Sequence, residues 1–265
     1  MKANYECNHL KGEKVVWLGT SVPYGSNTHN GESYASLAAK KLGFQIVPAV
    51  VPGEAIHAKM EDGQLVPLDY GSTVLSKSEY ARSGRIQIQD APLEWEPGSE
   101  ANEEYPGTGY NDYYRTWENI FTVENRDAYL YVFDVAPNNT DFSDRDWECF
   151  DVVNWKYKDG SDFAEHRTSF LGALLFLMDK MYESNPDARM VLLLGSPFAY
   201  QEARAAFEKL RQVWNIPVID AWSKVNTSPK SMLKIRSKDG TNDHPSDFGH
   251  QALGNIIANE LLLIG

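Results

Sequence analysis

Two cysteines are all this chain has, Cys7 and Cys149, far apart and without the paired spacing of a metal site. That excludes a disulfide framework and a zinc ribbon, and leaves two unpaired thiols as the expectation, with a single bridge as the alternative. Long hydrophobic runs are missing as well. The most apolar stretch, Phe170 to Met178 (FLGALLFLM), is far shorter than the roughly 20 residues a membrane-spanning helix needs. The opening residues, MKANYECNHLKGEK, hold no apolar core of the kind a secretory leader carries. The expectation is a cytoplasmic protein with no membrane partner, or a secreted one where a leader precedes this sequence. Positive charge is scarce too: 25 Lys and Arg against 37 Asp and Glu leave a net charge of -12. A surface of that sign repels a phosphate backbone, so nucleic acid is not an expected partner, whereas neutral ligands such as sugars remain open.

Several signatures of chemistry are also absent. There is no phosphate-cradling loop, no dinucleotide fingerprint and no GxSxG nucleophile elbow, since Ser21 is followed two residues later by Pro23. The acidic run Asp141, Asp144, Asp146 lacks the glycine and closing glutamate of a calcium loop, and no other ligand spacing is matched. Neither a metal nor a cofactor is expected.

What the chain does have is an alternation of short apolar runs and helical patterns. With 42% hydrophobic and 23% charged residues, 265 residues suffice for one domain with a large core. Lys14 to Leu18 reads as a buried strand stopping at Gly19, Ser33 to Leu42 as a helix capped by Gly43, and Gln45 to Val51 as a strand whose Pro48 suits an edge or an end. Ala128 to Val135 is the clearest strand, a continuous run fit for the centre of a parallel sheet. Asp162 and Glu165 are spaced like a capping box opening a helix that runs to Ser184, and Met190 to Leu194 is another strand. Ser196 and Pro197 are expected to open a helix from Phe198 to Trp214, followed by a strand at Ile216 to Asp220. Ser246 or Asp247 starts the last helix, with Ala252, Leu253, Ile256, Ile257 and Leu261 on its apolar stripe. The class is therefore α/β: a three-layer α/β/α sandwich around a parallel sheet of about five strands.

Between about 54 and 126 this pattern dissolves into turn signals, acidic residues and aromatics, among them Tyr70, Trp95, Tyr105, Tyr113 and Trp117. We read the stretch as an ordered insertion in a single domain spanning 1–265. Its aromatics either pack on the main domain or form a stacking platform for sugar rings.

Four sites fall at strand ends or in the loops that follow them, where ligands sit in such folds. Ser21 lies in GTSVPYG, Gly53 in VVPGEAI, Asn138 in VAPNNTD and His244 in DHPSDFGH. In that order the four blocks resemble those of the SGNH (GDSL-type) hydrolases, over nearly the whole length apart from the insertion. The resemblance implies a flavodoxin-like sandwich and an ester hydrolase. Ser21 would be the nucleophile and His244 the general base, and the Ser21 amide, the Gly53 amide and the Asn138 side chain would form the oxyanion hole. Oxyanion donors of this kind are each worth roughly 3 to 4 kcal/mol of barrier.

The chain departs from the family pattern in places. Thr20 stands where an aspartate is usual before the serine, Ala136 where block three has glycine, and Asn139 where it has aspartate. The family places an aspartate three residues before the histidine, and here that residue is Thr241. Asp239, beside a turn-forming Gly240, is the favoured third member of the triad, with Asp243 or a backbone carbonyl as alternatives. His250, on the last helix, is expected to be exposed or capping. The expected substrate is a small acyl group, acetyl above all, on a glycan or related small molecule. Two rivals stay open: a glycan- or protein-binding module whose chemistry is lost, and a metal-assisted phosphoesterase using the C-terminal Asp and His residues.

Overall fold

Val15, Val16, Trp17 and Leu18 are all fully buried, so successive side chains of one strand need apolar cover on opposite faces. The computed structural model supplies it, and describes residues 8–25, 28, 32–50, 54–61, 64–69, 121, 126–225, 228 and 244–264. In chain order come β1 (Lys14–Gly19), α1 (Ser21–Tyr24), α2 (Tyr34–Leu42), β2 (Gln45–Val50), β3 (Glu54–Glu61), β4 (Gln64–Asp69) and β5 (Leu130–Asp134). Next are α3 (Arg145–Glu148), β6 (Phe150–Asp151), β7 (Lys156–Tyr157), α4 (Phe170–Ser184), β8 (Met190–Leu193), α5 (Tyr200–Trp214), β9 (Val218–Ile219) and α6 (Asp247–Leu261).

The central sheet has five parallel strands in the order β2-β1-β5-β8-β9. The chain leaves β1 for β2 on one side and returns to β5 on the other, which makes the carboxyl ends of β1 and β5 the topological switch point. Val16, Leu18, Tyr131, Phe133 and Leu192 face one layer, packed by Leu174 and Leu177 of α4 and Phe207 and Leu210 of α5. Val15, Trp17, Val132, Val191 and Leu193 face the other, packed by Tyr34 and Ala38 of α2 and Leu253 and Ile257 of α6. This is the three-layer sandwich that the sequence pattern and the SGNH resemblance imply. Pro48 lies in β2, an edge strand pairing only with β1, where a missing N–H costs no ladder bond. Ser33, Ser169 and Ser246 cap α2, α4 and α6, each hydroxyl accepting an amide two or three residues inside the helix. Among the described residues no helix is long and apolar enough to cross a membrane.

Two helices begin later than the sequence pattern puts them. The Asp162–Glu165 capping box exists, but it closes only a short 3-10 turn, Phe163–His166; α4 starts separately at Phe170 under its own cap, Ser169. A Cβ on Gly172 would lie 1.8 Å from the His166 carbonyl oxygen, so the turn folds back onto α4 rather than continuing into it. Likewise α5 opens at Tyr200, not Phe198. The Ser196 hydroxyl accepts the Phe198 amide in a turn, and Ala199, at φ 49°, sits in the left-handed region that ends it. Of the stretch read as an insertion, β3 and β4 pair antiparallel on either side of Asp62-Gly63. Its aromatics from Tyr70 to Trp117 lie outside the described residues, as does Cys7, while Cys149 is an exposed free thiol.

Gly19, the last residue of β1, is tightly enclosed: a Cβ there would sit 2.3 Å from Pro23 Cγ and 3.2 Å from the Asp134 carbonyl oxygen. Gly19→Ala is therefore expected to push the turn carrying Ser21 off the strand end and to lower the melting temperature. Thermal unfolding of the variant checks it; an unchanged midpoint would show that Pro23 yields freely.

Candidate active site

Ser21 follows β1 by two residues and opens α1. Thr20 before it is extended (φ -119°, ψ -154°), and the single helical turn closes at Gly25, whose amide donates to the carbonyls of Ser21 and Val22 at φ 86°. That positive φ suits glycine, and the tight turn holds Ser21 at the edge of the sheet with 9% of its surface exposed.

His244 arrives from the other end of the chain, two residues before the Ser246 cap of α6. Its Nε2 lies 2.7 Å from Ser21 Oγ, across 223 residues of sequence. With Nε2 accepting the hydroxyl proton, Nδ1 carries the other ring proton. Phe198 stands beside the imidazole, ring centroids 5.3 Å apart and planes at 63°. This neighbour was hidden in the sequence by the expectation that Phe198 was a helical residue. The Ser-Pro turn that displaces it was the available signal.

The loop after β5 is held by Asn139. Its Nδ2 donates to the carbonyls of Val135 (2.7 Å), Ala136 (3.0 Å) and Pro137 (3.0 Å), and its Oδ1 accepts the Ile56 amide at 3.0 Å. One buried amide thus ties the loop to the start of β3. Asn138 beside it adopts φ 67°, a conformation asparagine tolerates better than most residues, and is half-buried. Gly53, Asp239, Thr241 and Asp243 lie outside the described residues. The structure therefore brings Ser21 and His244 together, sets Asn138 on the loop after the neighbouring strand, and is silent on the other members.

Of the two expectations for His250, exposed or capping, the structure supports the second: it is fully buried, and its Nδ1 accepts the backbone amide of Tyr34, so it caps the start of α2 from the neighbouring helix. Burial first, and the nearby charge of His244 second, push its pKa down to about 3. The sequence reading also passed over Asp134, although an aspartate inside the apolar run AYLYVFDV was a visible anomaly. It is 1% exposed and accepts from the Tyr34 hydroxyl and the Trp17 indole. Burial raises its pKa to about 7 against the opposing pull of those donors and the Gly195 amide.

A second Ser-His-Asp set lies elsewhere, unmarked by any motif. His166 Nδ1 is 2.9 Å from Asp146 Oδ1, and its Nε2 is 2.5 Å from Ser161 Oγ. The Tyr157 ring stacks on the imidazole at 3.5 Å. Yet Ser161 Oγ is also 2.5 Å from Asp159 Oδ1, which already accepts the Ser161 amide. A carboxylate there would face any oxyanion forming on a carbonyl attacked by Ser161 and raise its energy. The set is a tie between the β7 region and the base of α4, not a second nucleophile.

The two buried titrating groups pull stability in opposite directions with pH. A neutral buried His250 is stabilising above its unfolded pKa near 6.5, and that stability is lost as pH falls towards about 3. Asp134, held protonated, contributes stability at pH below its unfolded value of 3.8 that is lost as pH rises through about 7, worth on the order of 4 kcal/mol. Asp134→Asn is therefore expected to gain stability relative to wild type as pH rises from 4 to about 8. Melting temperatures of the two proteins across that range check it, and a difference independent of pH would refute the buried, protonated carboxyl.

No protein-family model matches the chain, and no curated protein is similar enough to count as a match. Solved structures are similar to it. One superposes with a TM-score of 0.50 at 16% identity, over 96% of this chain and 98% of that one. A family two carbohydrate esterase from Clostridium thermocellum, in complex with cellohexaose, gives 0.46 at 15% identity, over 94% of this chain and 63% of its own. A GDSL-like lipase from Bacteroides uniformis gives 0.47 at 14% identity, over 94% and 95%. At 16% identity the first likeness is one of fold, the α/β/α sandwich with its parallel sheet.

Proposed function

We propose that this protein is a serine ester hydrolase of the SGNH type that removes a small acyl group, acetyl above all, from a carbohydrate or related substrate. The observation that carries the reading is the 2.7 Å contact between Ser21 Oγ and His244 Nε2, at the switch point of a parallel sheet.

In the first step Ser21 Oγ attacks the ester carbonyl carbon while its proton passes to His244 Nε2. The carbonyl π electrons move onto oxygen. Residues at the start of a helix have amides without intrahelical acceptors, which suits Ser21 N–H to that charge, joined by the Gly53 amide and the Asn138 side chain. Collapse of the intermediate breaks the bond to the alcohol, which leaves with the proton from His244. Water then gives a proton to His244 and attacks the acyl-serine, and the acid departs as Ser21 recovers its hydrogen. Between steps the imidazolium needs an acceptor for Nδ1–H. Asp239 is our candidate, with Asp243 second. The carbohydrate preference rests on the sequence: an acidic, aromatic-rich 54–126 stretch without a long apolar run suits sugar better than a lipid tail.

The test is hydrolysis of p-nitrophenyl acetate by wild type and by Ser21→Ala and His244→Ala. Each substitution is expected to lower kcat by about a thousandfold or more. Equal rates would remove the mechanism. Asp239→Ala is expected to cost more than Asp243→Ala, and the reverse order would reassign the orienting carboxylate. Acetate release from an acetylated glycan, compared with cleavage of long-chain esters, tests the substrate class.

A further inference from the structure

Tyr34 is fully buried at the start of α2, and two groups on it reach towards the two halves of the site. Its hydroxyl donates to Asp134 Oδ2, the oxygen that the Trp17 indole also reaches at 3.4 Å. Asp134 ends β5 directly opposite Gly19 in the parallel register, two residues before Ser21. The Tyr34 amide donates to His250 Nδ1 at 3.1 Å, and the two rings lie 5.5 Å apart. His250 closes the first turn of α6, its own amide donating to the Ser246 carbonyl at 2.8 Å, and His244 enters that turn two residues before Ser246.

Two glycines make room for this arrangement. A Cβ at Gly195 would lie 2.8 Å from the Tyr34 hydroxyl oxygen, and one at Gly254 would lie 2.9 Å from Leu37 Cβ and 3.2 Å from the Tyr34 carbonyl oxygen. So the hydroxyl seats against the strand ends and α6 closes tightly on α2. Ser21 and His244 belong to segments joined by no short stretch of chain, and a shift of one ångström between reacting groups costs about a hundredfold in rate. Tyr34 reaches one of these segments through β5, whose Asp134 pairs with Gly19 beside Ser21, and the other through His250 of α6, so it bears on that separation from both sides.

We infer that Tyr34 is a positioning residue for the reaction: its hydroxyl, through Asp134 at the strand end paired with that of Ser21, and its amide, through His250 of the helix that follows His244, together hold the two at their working distance. The inference rests on the hydrolase reading above. Tyr34→Phe removes only the hydroxyl, and its expected effect is a fall in kcat of about ten- to a hundredfold with KM unchanged. Rates are taken per active site, counted by reaction with a fluorophosphonate well below the melting temperature. Phe207→Leu, in the opposite layer, serves as a control that lowers stability without lowering kcat per site. At the other contact, His250→Asn retains an acceptor for the Tyr34 amide and is expected to keep most of the activity. His250→Leu fills the space without one and is expected to lose it. Tyr34→Phe within about twofold of wild type per site would overturn the inference; if that variant does not fold, equal kcat for His250→Asn and His250→Leu would do so. Full activity in Ser21→Ala would instead overturn the hydrolase reading, so the two failures are distinguishable.

Discussion

A parallel sheet delivers all its strand ends to one edge, and the pairing of β1 with β5 puts Gly19 and Asp134 side by side at that edge. The placement of the site follows from this constraint. Because both faces of the sheet are buried, the polar end of β1 can leave the core only at its rim, in the turn that carries Ser21. The parallel pairing of β5 with β1 also brings the Asn138–Asn139 loop, which follows β5, to the same rim beside Ser21.

The rim is held by polar groups that are almost entirely inside the protein. Asp134, Tyr34, Trp17 and His250 form one connected set at the boundary between the sheet and the α2–α6 layer. Such a set is costly to bury, and the hydrogen bonds among its members offset part of that cost. Burial disfavours charge on Asp134 and His250 in opposite senses: it raises the carboxyl to about 7 and lowers the imidazole to about 3.

The two Ser-His pairs show why roles cannot be assigned from distances alone. Ser161, His166 and Asp146 meet the distance rule with the ring nitrogens in the expected assignment. What separates the pairs is surroundings: Asp159 accepts from Ser161, whereas Ser21 stands at the switch point of the sheet beside a loop braced by Asn139. The same chemistry of side chains is a structural tie in one place and a candidate reaction centre in the other.

The layered class and the five parallel strands were legible in the sequence because they rest on local signals, while the pairing of Ser21 with His244 was expected from the order of four blocks that resemble a known family. Apolar runs of strand length, serines at cap positions and a serine and a histidine in turn-rich blocks each carry their physics within a few residues. Where reading failed, either a competing local contact or a partner far along the chain was the cause. The helix expected from Asp162 to Ser184 breaks because Gly172 must accept the His166 backbone against it, and α5 starts late because Ser196 binds its own turn. His250 looks like any helical histidine until α2 is laid beside it, and Asp134 looks like a lapse in a strand until Tyr34 is brought to it from 100 residues away. Sequence by itself determined which segments would be buried and where polar chemistry would emerge, since burial pattern and turn propensity are properties of short stretches. Only the tertiary structure decided which buried polar groups would meet, because a hydrogen bond across the core depends on the packing of whole layers.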